Sequence, residues 1–345
     1  MKRVSLTFVA SRAMYLAWKN SGMLLAIILL AATAGITNAQ KANYRYVPVI
    51  DGEWWNITSN PDLGAYTSPR QEPVDFGVWQ AADGSWQLWS CVRGTKIGGN
   101  TRLFYGWEGK SITDTSWTPK GITMTADTTL GETKGGLQAP FVFKERNIYY
   151  MFYGDWNNIC LAKSTDGKQF NRVLKKNNSP ALFTSNMANT RDPMVLKIGD
   201  TYYCYYSAHL PKNNPAIHIK SAVYCRQSKD MKTWSEPVIV SDGGSAARQT
   251  SWYGGASECP FVVKVGNQYV LFRNQNYGKH ALNTQYSSTN PLDFGVDNDS
   301  FQVGQLLLAA PEIIKIKNQY YIVALKPDLN GMRVAKLKFV KEAVK

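Results

Sequence analysis

Three acids stand at the head of strongly apolar runs: Asp75 in VDFGVW, Asp192 in RDPMVL and Glu258 in ECPFVV. A carboxylate placed where a chain begins to bury itself needs a partner or a task. Like charges held close together raise one another's proton affinity. Two carboxyl groups whose proton affinities are pushed apart can divide acid–base work, one donating a proton while the other stays ionised. Cleavage of a glycosidic bond uses that division. For one acid alone, a backbone N–H or a neighbour such as Arg191 would be reason enough, because structural ion pairs also perturb carboxylates. Three acids at repeat-related positions read as a convergent site.

The positions recur because the sequence does. Five stretches share one pattern of apolar run, turn and aromatic-led second run: VDFGVWQAADGSWQLWS from Val74, QAPFVFKERNIYYMFYG from Gln138, RDPMVLKIGDTYYCYYS from Arg191, ECPFVVKVGNQYVLFRN from Glu258 and AAPEIIKIKNQYYIVAL from Ala309. Four carry a proline before the first run. Counted from that proline, the key positions are Asp75, Ala139, Asp192, Cys259 and Ala310, and Glu258 falls one residue ahead of Asp192's place. Counted back from the aromatic that opens the second run (Trp86, Tyr203, Tyr269), the three acids coincide. The second and fifth copies carry Gln138-Ala139 and Ala309-Ala310 and supply no acid there.

Copies spaced by roughly 50 to 65 residues signal a propeller or an array. Each also has a third segment ending in a polar turn and an aromatic, such as CLAKSTDGKQF and VYCRQSKDMKTWSEP. Every repeat is therefore a meander of three or four strands. The expected fold is all-β, a single-domain five-bladed β-propeller over residues 40–345, in which radial packing protects the sheet edges. Blades covered on both faces account for the nearly continuous apolar runs FVVKV and IIKI. A two-module β-sandwich would not require the repeated unit. In a propeller the first strand of each blade lines the axis, so the three acids should gather at one mouth of the channel.

Composition sets the bounds. The chain has 345 residues, 44% of them hydrophobic and 12% aromatic, with only 19% charged, which argues against general disorder. The formal net charge is +14. The lysines are dispersed, so the surface reads as solvated, and no nucleic-acid-binding motif accompanies it. Residues 1–39 read as a signal peptide: four cations, the run MLLAIILLAA from Met23, and small residues up to Ala39. The run is short for a membrane span, which takes roughly 20 residues. Its removal lowers the net charge to +10. The expectation is an exported protein, periplasmic or secreted, with no stable membrane span in its mature form. The five cysteines fit no zinc spacing and read as buried thiols.

A sugar pocket needs hydroxyl-binding groups and flat apolar walls. Candidates at the ends of the inner strands are Gln138, Asp155, Trp156, Arg191, His209, Trp252, Tyr253 and Arg273. Each has a packing explanation of equal weight, since strand-end aromatics commonly pack blade against blade. Trp54 and Trp55 precede the first blade and either cap the pocket or close the ring.

The chain resembles the five-bladed propeller glycoside hydrolases, which join arabinanases and xylosidases (family 43) with invertases and levansucrases (families 32 and 68). The Asp-Pro of RDPMV and the Glu-Cys-Pro of SECPF are similar to signature blocks of the fructan-cleaving branch. The resemblance implies that Asp75 is nucleophile or general base, that Asp192 stabilises the transition state and that Glu258 donates the proton. It implies an oligo- or polysaccharide substrate built of arabinose, xylose or fructose units, and no required cofactor. There are departures. PVDFG stands at 73–77 where the fructan branch has Asn-Asp-Pro-Asn-Gly. The chain's length suits family 43, yet its fifth copy lacks the histidine that accompanies a channel cation there, so no metal ligand is assigned. A non-catalytic carbohydrate-binding propeller and a phosphorylase or transglycosylase on the same fold are the alternatives.

Overall fold

The structure is a computed structural model that describes residues 43–185, 189–209, 221–249 and 257–344. The candidate leader, together with Trp252 and Tyr253, lies outside the described residues. The unit from Ala42 to Lys345 is a five-bladed β-propeller. Blade 1 comprises Glu72–Gln80, Trp86–Arg93, Leu103–Gly109 and Thr118–Met124. Blade 2 comprises Gln138–Glu145, Ile148–Gly154 and Asn158–Ser164, edged by Asn171–Arg172 and Ala181–Thr184. Blade 3 comprises Asn189–Ile198, Thr201–His209, Ser221–Ser228 and Val238–Asp242. Blade 4 comprises Glu258–Val265, Gln268–Asn276, Leu282–Ser288 and Gln302–Leu306. Within each blade the strands are antiparallel and follow chain order outward from the axis.

Blade 5 closes the ring. Its inner strands are Glu312–Ile316, Gln319–Leu325 and Met332–Ala343, and its outer strand is the chain's first, Tyr44–Ile50. Tyr44 lies opposite Ala343 and Ile50 opposite Leu337. Joining the first described strand to the last in one sheet closes the ring and gives blade 5 its outer strand. Trp54 and Trp55 serve this closure. Trp54 lies under the Arg333 guanidinium, 4.2 Å from its ring, while Trp55 pairs with Val334 and packs edge-on against Tyr321.

The repeated third segments position the aromatics that fill the seams. Asp166 Oδ1 accepts the backbone N–H groups of Lys168 and Gln169 at 2.7 and 2.9 Å, and Asp230 Oδ1 accepts those of Lys232 and Thr233 at 2.8 Å. Such side-chain turns reverse the chain locally. The aromatic that follows each turn then enters the space between blades. Phe170 meets Trp79 and Trp89 edge-on, and Trp234 meets Phe152 and Phe183.

Every inner strand is interrupted at the same place. Asp75, Ala139, Asp192, Cys259 and Ala310 all have positive φ, between 39° and 56°. Register shifts there in blades 1 to 4, and in blade 5 the Leu325 N–H bonds back to Ala309 O. These are β-bulges, which re-aim a side chain by bending the strand. Proline follows in four blades and costs the bulge no N–H donor. Blades 1 and 2 approach so closely beside this point that a Cβ on Gly77 would lie 2.3 Å from Pro140 O. Gly77→Ala should therefore destabilise the protein by about 1–3 kcal/mol through overpacking. A urea unfolding midpoint no lower than wild type would show that the seam yields.

Candidate active site

The bulges sort the axial side chains into tiers. Gln138, Arg191 and Glu258 precede the bulge in blades 2, 3 and 4 and line a cavity of about 510 Å³. The bulge residues Asp192, Cys259, Ala139 and Ala310 line a narrow continuation of about 20 Å³, and Asp75 borders both spaces. Of the two alignments the sequence allows, the proline count holds. Glu258 occupies Arg191's place, opposite Asn274 as Arg191 is opposite Ser207, and not the place of Asp192. The aromatic count fails because Tyr269, opposite Lys264, is the counterpart of Tyr202, opposite Lys197, and not of Tyr203.

That offset brings Glu258 and Arg191 side by side on neighbouring blades. Arg191 Nη2 donates to Glu258 Oε1, and its Nε lies 3.6 Å from Asp192 Oδ2. Asp192 Oδ2 also accepts the Cys259 backbone N–H at 3.0 Å. All three side chains are buried. Burial raises the Glu258 pKa to about 7; Arg191 pulls it down, and Asp192 and Asp75 push it up. Burial likewise lifts Asp192 to about 6, opposed by Arg191 and reinforced by Asp75. Burial works against the Arg191 charge as well, but Glu258 and Asp192 outweigh it and keep the guanidinium charged. His209 Nε2 lies 3.9 Å from Glu258 Oε1, and burial together with Arg191 lowers its pKa well below the usual imidazole value. It is therefore a neutral neighbour.

Asp75 has a different shell. Its Oδ1 accepts from the Tyr277 hydroxyl at 2.7 Å and from the Cys259 thiol at 3.2 Å, with that thiol 3.1 Å from the same hydroxyl. Burial, reinforced by the neighbouring acids, keeps both groups protonated by raising their pKa values well above the ordinary ones. Two neutral donors hold one oxygen of Asp75 in place. The site thus holds a carboxyl that can carry a proton near neutrality beside a carboxyl group fixed by two hydrogen-bond donors. Ligand atoms of Asp75, Asp192 and Cys259 also lie within 4.8 Å of one another. Blade 5 carries no histidine to complete such a set. The residues do not fit the channel cation of family 43.

The other expected binding residues divide. Gln138, Trp156, Arg191 and His209 line the cavity. Asp155 and Arg273 are placed elsewhere. The Asp155 carboxylate accepts the backbone N–H groups of Asn157 and Asn158 at 3.0 and 2.7 Å and holds a turn. Arg273 is fully buried, bonded to Ser241 Oγ and Gly243 O, and lies over Tyr286. Strand-end position alone misleads here, because alternate residues of a strand point to opposite faces. The sequence reading missed Arg93, Arg102 and Tyr277. None lies on an inner strand, and only the third dimension brings them to the cavity.

A propeller whose axial mouth holds a protonatable carboxyl, a carboxyl held by two donors and a third acid at the next bulge defines a glycoside hydrolase of the propeller type. The family described as "Glycosyl hydrolases family 32 N-terminal domain" matches residues 107–322, and the chain belongs to it. The match includes Asp192 and Glu258 but begins beyond Asp75, so the fold alone joins Asp75 to them. No curated protein sequence matches the chain. Among solved structures, a thermostable family-43 glycoside hydrolase is 18% identical with a TM-score of 0.57, over 84% of this chain and 96% of that one. An endo-arabinase from Bacteroides thetaiotaomicron is 14% identical with a TM-score of 0.57, over 83% and 99%. A family-43 β-xylosidase/α-arabinofuranosidase from a compost microbial metagenome, in complex with xylotriose, is 15% identical with a TM-score of 0.55, over 86% and 98%. These likenesses concern the fold.

A fourth acid lies deeper. Glu312 stands two residues beyond the blade 5 bulge, where the other blades have Gly77, Phe141, Met194 and Phe261. It shares the narrow space with Phe141, Met194, Asp75 and Asp192. Burial alone raises its pKa well above the carboxylate range. A folded-state pKa above the unfolded one contributes stability below the unfolded value, lost as pH rises through the folded one. Glu312→Gln removes that dependence. The variant's melting temperature should rise relative to wild type between pH 5 and pH 9, while a constant difference across that range would show that Glu312 does not titrate there.

Proposed function

We propose that the enzyme cleaves glycosidic bonds of pentose or fructose units, as a furanosidase or pentosidase, with Glu258 as proton donor. The carrying observation is the Glu258 carboxyl, buried and raised to about 7, beside a hydrogen-bonded Asp75. Glu258 protonates the leaving oxygen. Asp75 meets the anomeric carbon with its negative charge, as nucleophile or as base toward water. Asp192 supports the positive charge that develops on the sugar ring, and Arg191 holds Asp192 and Glu258 in register. The family description and the arabinan- and xylan-directed activities named for proteins of the same fold support the sugar class. The leader-like residues 1–39 support export to the periplasm or beyond. Among the described residues no helix is long and apolar enough to cross a membrane.

A panel of aryl arabinofuranosides, xylosides and galactofuranosides with fructan oligomers tests this reading. One substrate should be turned over, and Glu258→Gln should lower its kcat/KM by about 10²–10⁴. Binding of a sugar without turnover would make the chain a carbohydrate-binding propeller.

The acids also dictate a pH profile. Catalysis needs Glu258 protonated and Asp192 ionised, so kcat/KM should peak narrowly, falling above about 7 and below about 6. Because the pair is coupled, the two limbs belong to both acids together. The Arg191 charge favours the ionised form of each. Arg191→Gln should therefore move both limbs upward by about one pH unit or more. Limbs that stay in place would show that the ion pair does not tune the acids.

A further inference from the structure

We propose that the cavity recognises an oxyanion substituent on its glycan, a uronic-acid carboxylate or a sulfate ester, through Arg102. This rests on reading the cavity as a glycan site and narrows its substrate. Three arginines line the cavity: Arg93, Arg102 and Arg191. Arg93 is paired with Glu72 at 2.7 Å, and Arg191 with Glu258 and Asp192. Arg102 has no carboxylate partner among the described residues. Its guanidinium lies 4.9 Å from the Trp156 ring centroid. One Nη1 donor goes to Asn100 O at 3.3 Å, while Nε is buried without an acceptor.

Both residues are held firmly at the wall. The Arg102 backbone N–H donates to Gly135 O at 2.9 Å, tying blade 1 to the start of blade 2. Trp156 carries a φ of +88°, a strained conformation for a bulky residue and one that concentrates at ligand sites. The indole backs the guanidinium, and Nη2 with the remaining Nη1 hydrogen can meet a planar, two-pronged acceptor. A hydroxyl would be served by any donor. A fixed guanidinium with an unmatched charge is suited to a carboxylate or a sulfate. The net charge of +10 that remains without residues 1–39 favours the approach of such a substrate at long range.

The test is direct binding by the full chain carrying Glu258→Gln, against immobilised oligosaccharides in neutral, uronate-bearing, methyl-esterified uronate and sulfated forms. Charged glycans should bind more tightly than neutral ones, and esterification should remove the uronate advantage. Arg102→Met should lower the charged-to-neutral affinity ratio about tenfold, the scale of a lost charge-assisted pair, and Arg102→Lys should fall between. Preference for uronate over sulfate identifies the carboxylate, and the reverse identifies the ester. Equal binding of charged and neutral glycans, an equal loss on both in Arg102→Met, or no binding at all overturns the proposal. Turnover of a neutral glycoside without anion preference would leave the hydrolase reading standing and remove this one. Retention of acidic glycans by a chain that hydrolyses nothing would do the reverse.

Discussion

Arg191 is a buried cation between two buried acids, and the chemistry at the mouth turns on that contact. Removing a charge from water is expensive unless a partner compensates it. Glu258 and Asp192 compensate Arg191, and Arg191 in turn limits how far burial can raise them. The balance leaves the two carboxyl groups near 7 and 6, so one can hold a proton where the other has released it. Without the arginine both would be driven further toward the neutral form. Without the acids the arginine would be an uncompensated charge at the floor of a cavity.

The contact exists because the inner strands are bulged. A regular strand would alternate its side chains between the two seams of the blade. The bulge turns one residue per blade toward the axis and leaves the preceding residue at the cavity floor. Asp75, Asp192 and Cys259 thereby meet across the channel, while Glu258 and Arg191 meet one level above. The strained φ at five equivalent positions recurs even where the residue is alanine, at Ala139 and Ala310. It belongs to the architecture of the ring, and chemistry uses it in the blades that carry acids.

The repeat was legible because each blade solves the same packing problem with the same parts: an apolar run, a tight turn, an aromatic-led return strand and a side-chain-capped turn ahead of a seam aromatic. Asp75, Asp192 and Glu258 could be picked out because acids are rare at the start of such runs. The level of Glu258 could not, since which of the adjacent Tyr202 and Tyr203 matches Tyr269 is invisible until strands are paired. Asp155 and Arg273 looked like pocket residues by position, yet one caps a turn and the other fills a seam.

By itself the sequence determined the all-β class, the five-fold repeat and the three axial acids, because hydrophobic period and turn chemistry are local properties that survive in one dimension. Tertiary structure alone decided which acid stands beside the arginine, how high each proton affinity is raised, and which residues from outside the inner strands reach the cavity. Tyr277 on Asp75 and Arg102 on Trp156 join segments far apart in the chain. Desolvation, too, is set by what the other blades place around a group. Those quantities depend on distances between blades, and no run of residues within one blade contains them.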